Sequence, residues 1–363
     1  MTSSFSTPPP SESSFEAWGL VTAVATVVTL LAGALLIQPR LSERRVEVDH
    51  QFILTPAEVR DLPEGTLPVV LDRSAGQTER DFNYRLLQLV MERSGRPYAL
   101  GMSEVDVPQD EAIAALEQVA ANGANGRNPM AISVGIYGAG QELNRRLLPV
   151  PIPVTGGILG LRAGWTHRDE VERLATVKSR DDLRDVVLLQ GLGWSDVDIF
   201  DAAGLRTFTE RSGDLFRLVE NRRVQLFPRG IAELAGDAQR VRGATMATVL
   251  DPNLLIAYPF AGFFYVSRSN PALAEAIQTG FERAIADGSY QALVEELILT
   301  PRLRQQLRLE DRAVVVLPNP VAADVLAGVD VNHWIVPWQD LLQGSIQTGS
   351  DLCQAKGLRA LCR

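Results

Sequence analysis

Residues 270–297 read NPALAEAIQTGFERAIADGSYQALVEEL, and this stretch decides the fold. Leu273, Ile277, Phe281 and Ile285 recur at helical spacing, the mark of an amphipathic helix packed on a domain. The pattern breaks at Asp287-Gly288-Ser289, a turn signal, and resumes with Tyr290, Leu293 and Leu297 as a second helix.

Upstream, short apolar runs alternate with helical periods. Leu67-Pro68-Val69-Val70-Leu71-Asp72 reads as a buried strand. Residues 81–93 come next as a helix with Phe82, Leu86, Leu89 and Val90 on one face, ended by Ser94-Gly95-Arg96-Pro97. Tyr98-Ala99-Leu100 is the next strand, 109–122 a helix on Ile113, Leu116 and Val119, and 130–136 a third strand. Such alternation implies a mostly parallel sheet covered on both faces. After Pro149-Val150-Pro151-Ile152-Pro153 the alternation resumes. There is a strand over 186–190, a glycine-rich loop over 191–196 into a helix that Gly204 ends, and a helix over 214–221. A strand over 224–227 then ends in Pro228-Arg229-Gly230. Residues 254–260 and 262–268 are two further apolar runs.

In this order the segments resemble type 2 periplasmic solute-binding proteins, the extracytoplasmic receptors of amino-acid-type ABC transporters. The resemblance is carried by the helix–DGSY–helix pair and by Val177-Lys178-Ser179-Arg180-Asp181-Asp182-Leu183, similar to a V-x-S-x-x-D-L segment. It is carried too by the colinear stretches Gly191–Asp196, Ala203-Gly204-Leu205, Leu215-Phe216, Phe227–Gly230, Tyr258-Pro259-Phe260, Leu317-Pro318-Asn319-Pro320 and His333-Trp334. It covers about residues 66–338. It implies an α/β fold of the two-lobed periplasmic-binding-protein type 2 kind with two hinge crossings. Lobe 1 would comprise 66–155 and 258–338, and lobe 2 would comprise 156–257. It implies a receptor that closes on a small solute and hands it to a transporter permease or a sensor.

Length and charge fit that frame. The chain has 363 residues, room for two domains plus extensions, and a net charge of −9. No basic run occurs, so nucleic acid is not an expected partner. Residues 1–17 are rich in Ser, Thr and Pro and read as disordered. Residues 18–37 (WGLVTAVATVVTLLAGALLI) are uncharged and long enough to cross the ~30 Å hydrocarbon core. Preceded by Glu12 and Glu16 rather than a basic start, they read as an uncleaved anchor. Residues 38–65 are a linker punctuated by Pro39, Pro56, Pro63 and Gly65. Arg40, Arg44 and Arg45 beyond the span favour a cytoplasmic position for the large C-terminal domain. The resemblance and the cysteines favour the opposite side: a single-pass protein of the bacterial inner membrane with its main domain in the periplasm. That placement is the expectation taken forward. The two cysteines, Cys353 and Cys362, lie in the 339–363 tail and, rather than two free thiols, are read as a small disulfide loop that needs an oxidising compartment.

The sharpest candidate site is the loop into the helix at Ser195. Gly193, Trp194 and Ser195 would offer backbone N–H groups, a ring and a hydroxyl at a helix N-terminus, where anions are favoured. With G-x-G-x-x-D spacing the loop lacks the third glycine of a dinucleotide fingerprint. Arg229, at a strand end, has the fork geometry to grip a carboxylate or phosphate, or it pairs with Glu233 one turn on. Amino-acid receptors of this type place an acidic residue near that position for the ligand ammonium. Arg there implies a polar or anionic ligand instead. Their Thr-x-x-Arg pair has no Thr here, and Arg145 or Arg146 would be the displaced counterpart. Asp72 ends the first strand toward the same cleft. The three histidines form no metal-binding spacing, no nucleophile elbow or phosphate loop occurs, and no cofactor or catalytic residue is expected. The other reading is a binding-protein fold that has lost its ligand and serves as an interaction or regulatory subunit.

Overall fold

In the computed structural model the described residues are 52–73, 77–122, 130–211 and 215–362. The expected disordered start (1–17), the membrane span (18–37) and the linker up to residue 51 lie outside them. Among the described residues no helix is long and apolar enough to cross a membrane.

The apolar runs form strands β1 Leu67–Arg73, β2 Tyr98–Asp106, β3 Val134–Gly138, β4 Leu148–Val150, β5 Leu161–His167 and β6 Val187–Gly191. After these come β7 Arg206–Glu210, β8 Phe227–Gly230, β9 Thr248–Leu250, β10 Leu254–Ala257, β11 Gly262–Val266 and β12 Ala313–Val316. The first sheet has the order β2-β1-β3-β11-β4. Its first three strands are parallel, and β11 runs antiparallel to both neighbours. The second half repeats this pattern. β7 pairs β6 in parallel, β6 meets β8 through the parallel bridge Leu188–Leu226, and β8 and β10 flank β5 antiparallel to it. The orders β2-β1-β3-β11-β4 and β7-β6-β8-β5-β10 are therefore equivalent strand for strand.

Each half receives its antiparallel strand from the chain just after it has crossed over. The first crossing is residues 151–160 between β4 and β5, and the second is 258–261 between β10 and β11. β11 is wholly buried, which is why it reads as a continuous apolar run rather than an alternating one; β5 is buried over all but its last residue although it carries Arg162. β12 adds in parallel to β10 and so extends the second sheet, inside a stretch the resemblance assigned to the first lobe. The run Ala-Val-Val-Val completes an otherwise open edge there. The chain then returns to the first half, where Ala322, Leu326 and Val329 pack with Tyr137, Phe263 and Tyr265.

Three helices of the first half bear on the site: α1 Phe82–Ser94, α2 Gln109–Asn122 and α3 Gln141–Arg146. In the second half, α4 Ser195–Ala202 comes after β6 and α5 Leu234–Ala244 after β8. The 270–297 stretch forms α6 Pro271–Ala286 and α7 Ser289–Leu297. Asn270 caps α6 by accepting from Leu273 N–H at 3.3 Å, and Pro271 occupies its first position. Leu273, Ile277 and Phe281 are fully buried against the first sheet's core. Gly280 lets α6 approach α1 closely: a Cβ there would lie 1.9 Å from the Val90 carbonyl oxygen. Gly288, at φ +80°, provides the turn between α6 and α7.

The C-terminal segment straps over the first crossing. The Gly156 carbonyl accepts from Ile335 N–H at 2.9 Å and Val336 N–H at 3.1 Å. Trp334 and Trp338 lie against Gly157, where no side chain would fit. Asn319 Nδ2 donates to the Pro259 carbonyl in the second crossing at 2.8 Å. Cys353 and Cys362 form a disulfide that closes the terminal loop, and Leu358 and Leu361 within it are fully buried.

Candidate functional site

The two halves meet where β3 ends and α4 begins. Gly138 lies so close to both Phe260 and Ser195 that a Cβ on it would stand 3.4 Å from the ring and 3.7 Å from the hydroxyl. The loop into α4 turns at Gly193, whose φ is +81°. Gly191 leaves room for the Trp194 ring, which folds back over it. Ser195 and Gly193 are exposed, whereas Asp196, one residue into α4, is buried.

Behind this helix start lies a cluster of five charged side chains. Arg162, from the apolar β5, is buried and pairs through Nη2 with Asp196 Oδ1 at 2.9 Å. Tyr258, in the second crossing, donates its hydroxyl hydrogen to the same oxygen. Arg162 Nη1 lies 3.3 Å from Glu233 Oε2, which also accepts from Gly230 N–H at 2.9 Å. Arg229 Nη2 pairs with Glu233 Oε1 at 2.6 Å, and Arg229 Nε pairs with Asp237 Oδ2 at 2.8 Å. The guanidiniums also stack on rings: Arg229 lies 5.0 Å from the Trp194 ring centre, and Arg162 lies 5.4 and 5.3 Å from those of Tyr258 and Phe260. Buried charges persist only when paired and hydrogen-bonded, and this cluster meets that requirement among its own members. Burial opposes the charge on Arg162, yet Asp196, Tyr258 and Glu233 together hold it above the usual arginine range. Burial pushes the Tyr258 hydroxyl well above its ordinary range. Arg162 works against that shift, and Asp196 works with it.

The residues singled out from sequence divide between the two halves. Arg229, Trp194, Ser195 and Gly193 belong to one neighbourhood in the second half. Asp72 lies at the end of β1 in the first half, where its carboxylate accepts from the Tyr137 hydroxyl at 2.9 Å. Burial raises its pKa from 3.8 to about 6, with the Tyr137 hydrogen bond opposing. Arg145 and Arg146 sit at the end of α3. Arg145 is largely exposed and pairs with Glu142 at 2.7 Å. Arg146 forks onto both oxygens of Glu117, on α2, at 2.6 and 2.9 Å. Neither arginine joins the Arg229 cluster. Both alternatives raised for Arg229 bear on the outcome: it stands beside Trp194, and its fork is filled by Glu233 and Asp237.

Sequence reasoning did not single out Arg162, and Asp196 entered only as the last residue of the glycine-rich loop. One signal was available. Arg162 interrupts the run Ile158-Leu159-Gly160-Leu161-Arg162-Ala163-Gly164-Trp165, and a charge inside a buried strand requires partners. Among the described residues no group of three His, Cys, Asp or Glu side chains is placed to hold a metal ion.

No protein-family model matches the chain, and no curated protein matches it. Solved structures do match it. One is a putative binding component of an ABC transporter from Wolinella succinogenes complexed with lysine, at TM-score 0.46 and 18% identity, over 66% of this chain and 98% of that one. A second is an ancestral amino-acid-binding protein described as a precursor of cyclohexadienyl dehydratase, at TM-score 0.44 and 16% identity, over 67% and 98%. A third is an ancestral arginine-binding protein bound to arginine, at TM-score 0.42 and 17% identity, over 64% and 98%.

Proposed function

We propose that this chain is an extracytoplasmic solute-binding protein, anchored in the inner membrane through residues 18–37, that captures a small polar or anionic solute for a transporter or sensor. It acts by binding rather than by chemistry. Two halves of equivalent strand order close on the solute, and the closed form is the one the solute stabilises. The observation that carries this reading is the meeting of the β3 end with the α4 start at Gly138 and Ser195, with Arg229 and Trp194 immediately behind. In open α/β sheets, solutes bind outside the carboxyl ends of the strands. Arg229, where a free α-amino acid would present its ammonium, favours an anion over a zwitterion. The disulfide supports an oxidising compartment for the main domain.

Isothermal titration calorimetry of residues 49–363, which form one compact unit, against a panel of organic acids, phosphate and amino acids tests the reading. The expected result is saturable heat with an organic acid or phosphate and none with simple α-amino acids. Heat with none of the panel, together with recovery of one stable membrane partner, would favour the second reading. In that reading the fold is kept as an interaction or regulatory subunit. The observation behind it is that every charged side chain proposed to grip a ligand already has a partner within the protein: Arg229, Asp72, Arg145 and Arg146 alike.

A further inference from the structure

The charged cluster is unevenly built. Two guanidiniums, Arg162 and Arg229, face three carboxylates, Asp196, Glu233 and Asp237. Asp196 and Asp237 are sealed, with side chains 8% and 3% exposed, and each holds one guanidinium. Glu233 is different. Its side chain is 33% exposed, the most of the five, and it touches both guanidiniums. One oxygen lies 2.6 Å from Arg229 Nη2, and the other lies 3.3 Å from Arg162 Nη1 and 2.9 Å from Gly230 N–H. A carboxylate held between two guanidiniums and a backbone N–H has the full set of contacts that a bound organic acid would need at this place.

We infer that Glu233 is an internal stand-in for a ligand carboxylate. A small organic acid enters by displacing the Glu233 side chain from Arg229, Arg162 and Gly230 N–H. The inference deepens the solute-binding reading and rests on it. The exchange is physically cheap on the departing side. Glu233 is already partly in water and needs only side-chain rotation, whereas displacing Asp196 or Asp237 would strand a buried charge. A ligand without a pair of anionic oxygens cannot replace what Glu233 gives up, so the exchange selects anions, organic acids among them, and sets a threshold on their affinity.

Calorimetry with succinate as probe, on the full chain in detergent, tests the exchange in the wild type, Glu233→Gln and Glu233→Asp. The Gln side chain keeps an acceptor for Gly230 N–H and loses the charge that competes with the probe. It is expected to bind succinate at least about tenfold more tightly than the wild type. Glu233→Asp keeps the charge but draws it back by one methylene, and is expected to fall between the two. Folding of each variant is read from its urea midpoint. Equal succinate affinity in the three proteins, or no succinate binding by a folded Glu233→Gln, overturns the inference. The wild-type panel separates this from the broader reading. A wild type that binds a panel solute while Glu233→Gln gains nothing for succinate sinks the exchange alone. A wild type that binds no panel solute, succinate included, sinks the solute-binding reading and the exchange with it.

Discussion

The facing ends of the two halves are built on the same strand order and could hardly differ more in chemistry. At the end of β3 the first half presents Gly138, Ala139 and Gly140, with one carboxylate, Asp72, tucked under Tyr137. Around the end of β8 and the start of α4 the second half presents five charged side chains, with the Trp194 ring over Arg229. The first face carries that single carboxylate and is otherwise shaped by backbone, and its arginines are turned onto Glu142 and Glu117. The second face holds its charges in a closed circuit. Equivalent topology thus fixes where a site can be, while a few side chains fix what it can hold.

Breaking that circuit should give the largest effect. Asp196→Ala leaves Arg162 buried without its main partner and is expected to cost about 3–5 kcal/mol in urea unfolding. A loss near zero would mean that the second face is not the closed circuit described. Next in size is a packing change in the first half. Gly280→Ala forces a Cβ onto the Val90 carbonyl and is expected to cost about 1–3 kcal/mol by the same measurement. A neutral outcome would mean that α1 and α6 can part without loss.

A pH series sharpens the contrast between the lone carboxylate of one face and the ionised cluster of the other. The pKa of Asp72 is raised from 3.8 to about 6, so between those values the folded state holds a proton that the unfolded state has released. Stability from this group is therefore present at low pH and is lost as pH rises through about 4 to 6. Asp72→Asn should abolish that part of the slope, and identical slopes in the two proteins would contradict it. Smallest of all, Arg145→Ala at an exposed pair should change stability by less than about 0.5 kcal/mol. A larger loss would show that the first face uses its charge after all.

Much of this was legible in the chain. The α6–α7 pair could be read from periodicity and the Asp287-Gly288 turn because both signals are local. Ser179, in the V-x-S-x-x-D-L stretch, caps the short helix Arg180–Leu183 by accepting from Asp182 N–H at 3.3 Å, a contact between near neighbours in sequence. Arg229 with Glu233 was visible as a one-turn pair. Arg162 with Asp196 was not, because they lie 34 positions apart and only the fold, with β5 beside β8 and β8 beside the β6 strand that leads into α4, brings them together. The place of β12 was hidden for the same reason. An apolar tetrapeptide states that it will be buried, but not beside which strand. The site was thus legible where partners are neighbours in sequence, and illegible where the fold supplies the neighbour.

The C-terminal strap has a mechanical consequence. Each connector between the halves is held by later parts of the chain: Gly156 by the backbone N–H groups of Ile335 and Val336, and Pro259 by the side-chain amide of Asn319. A swing of one half against the other must flex doubled struts at both joints, so the joint behaves as a stiff spring and returns when released. Trimming the strap would soften that spring without touching a single side chain of the charged cluster.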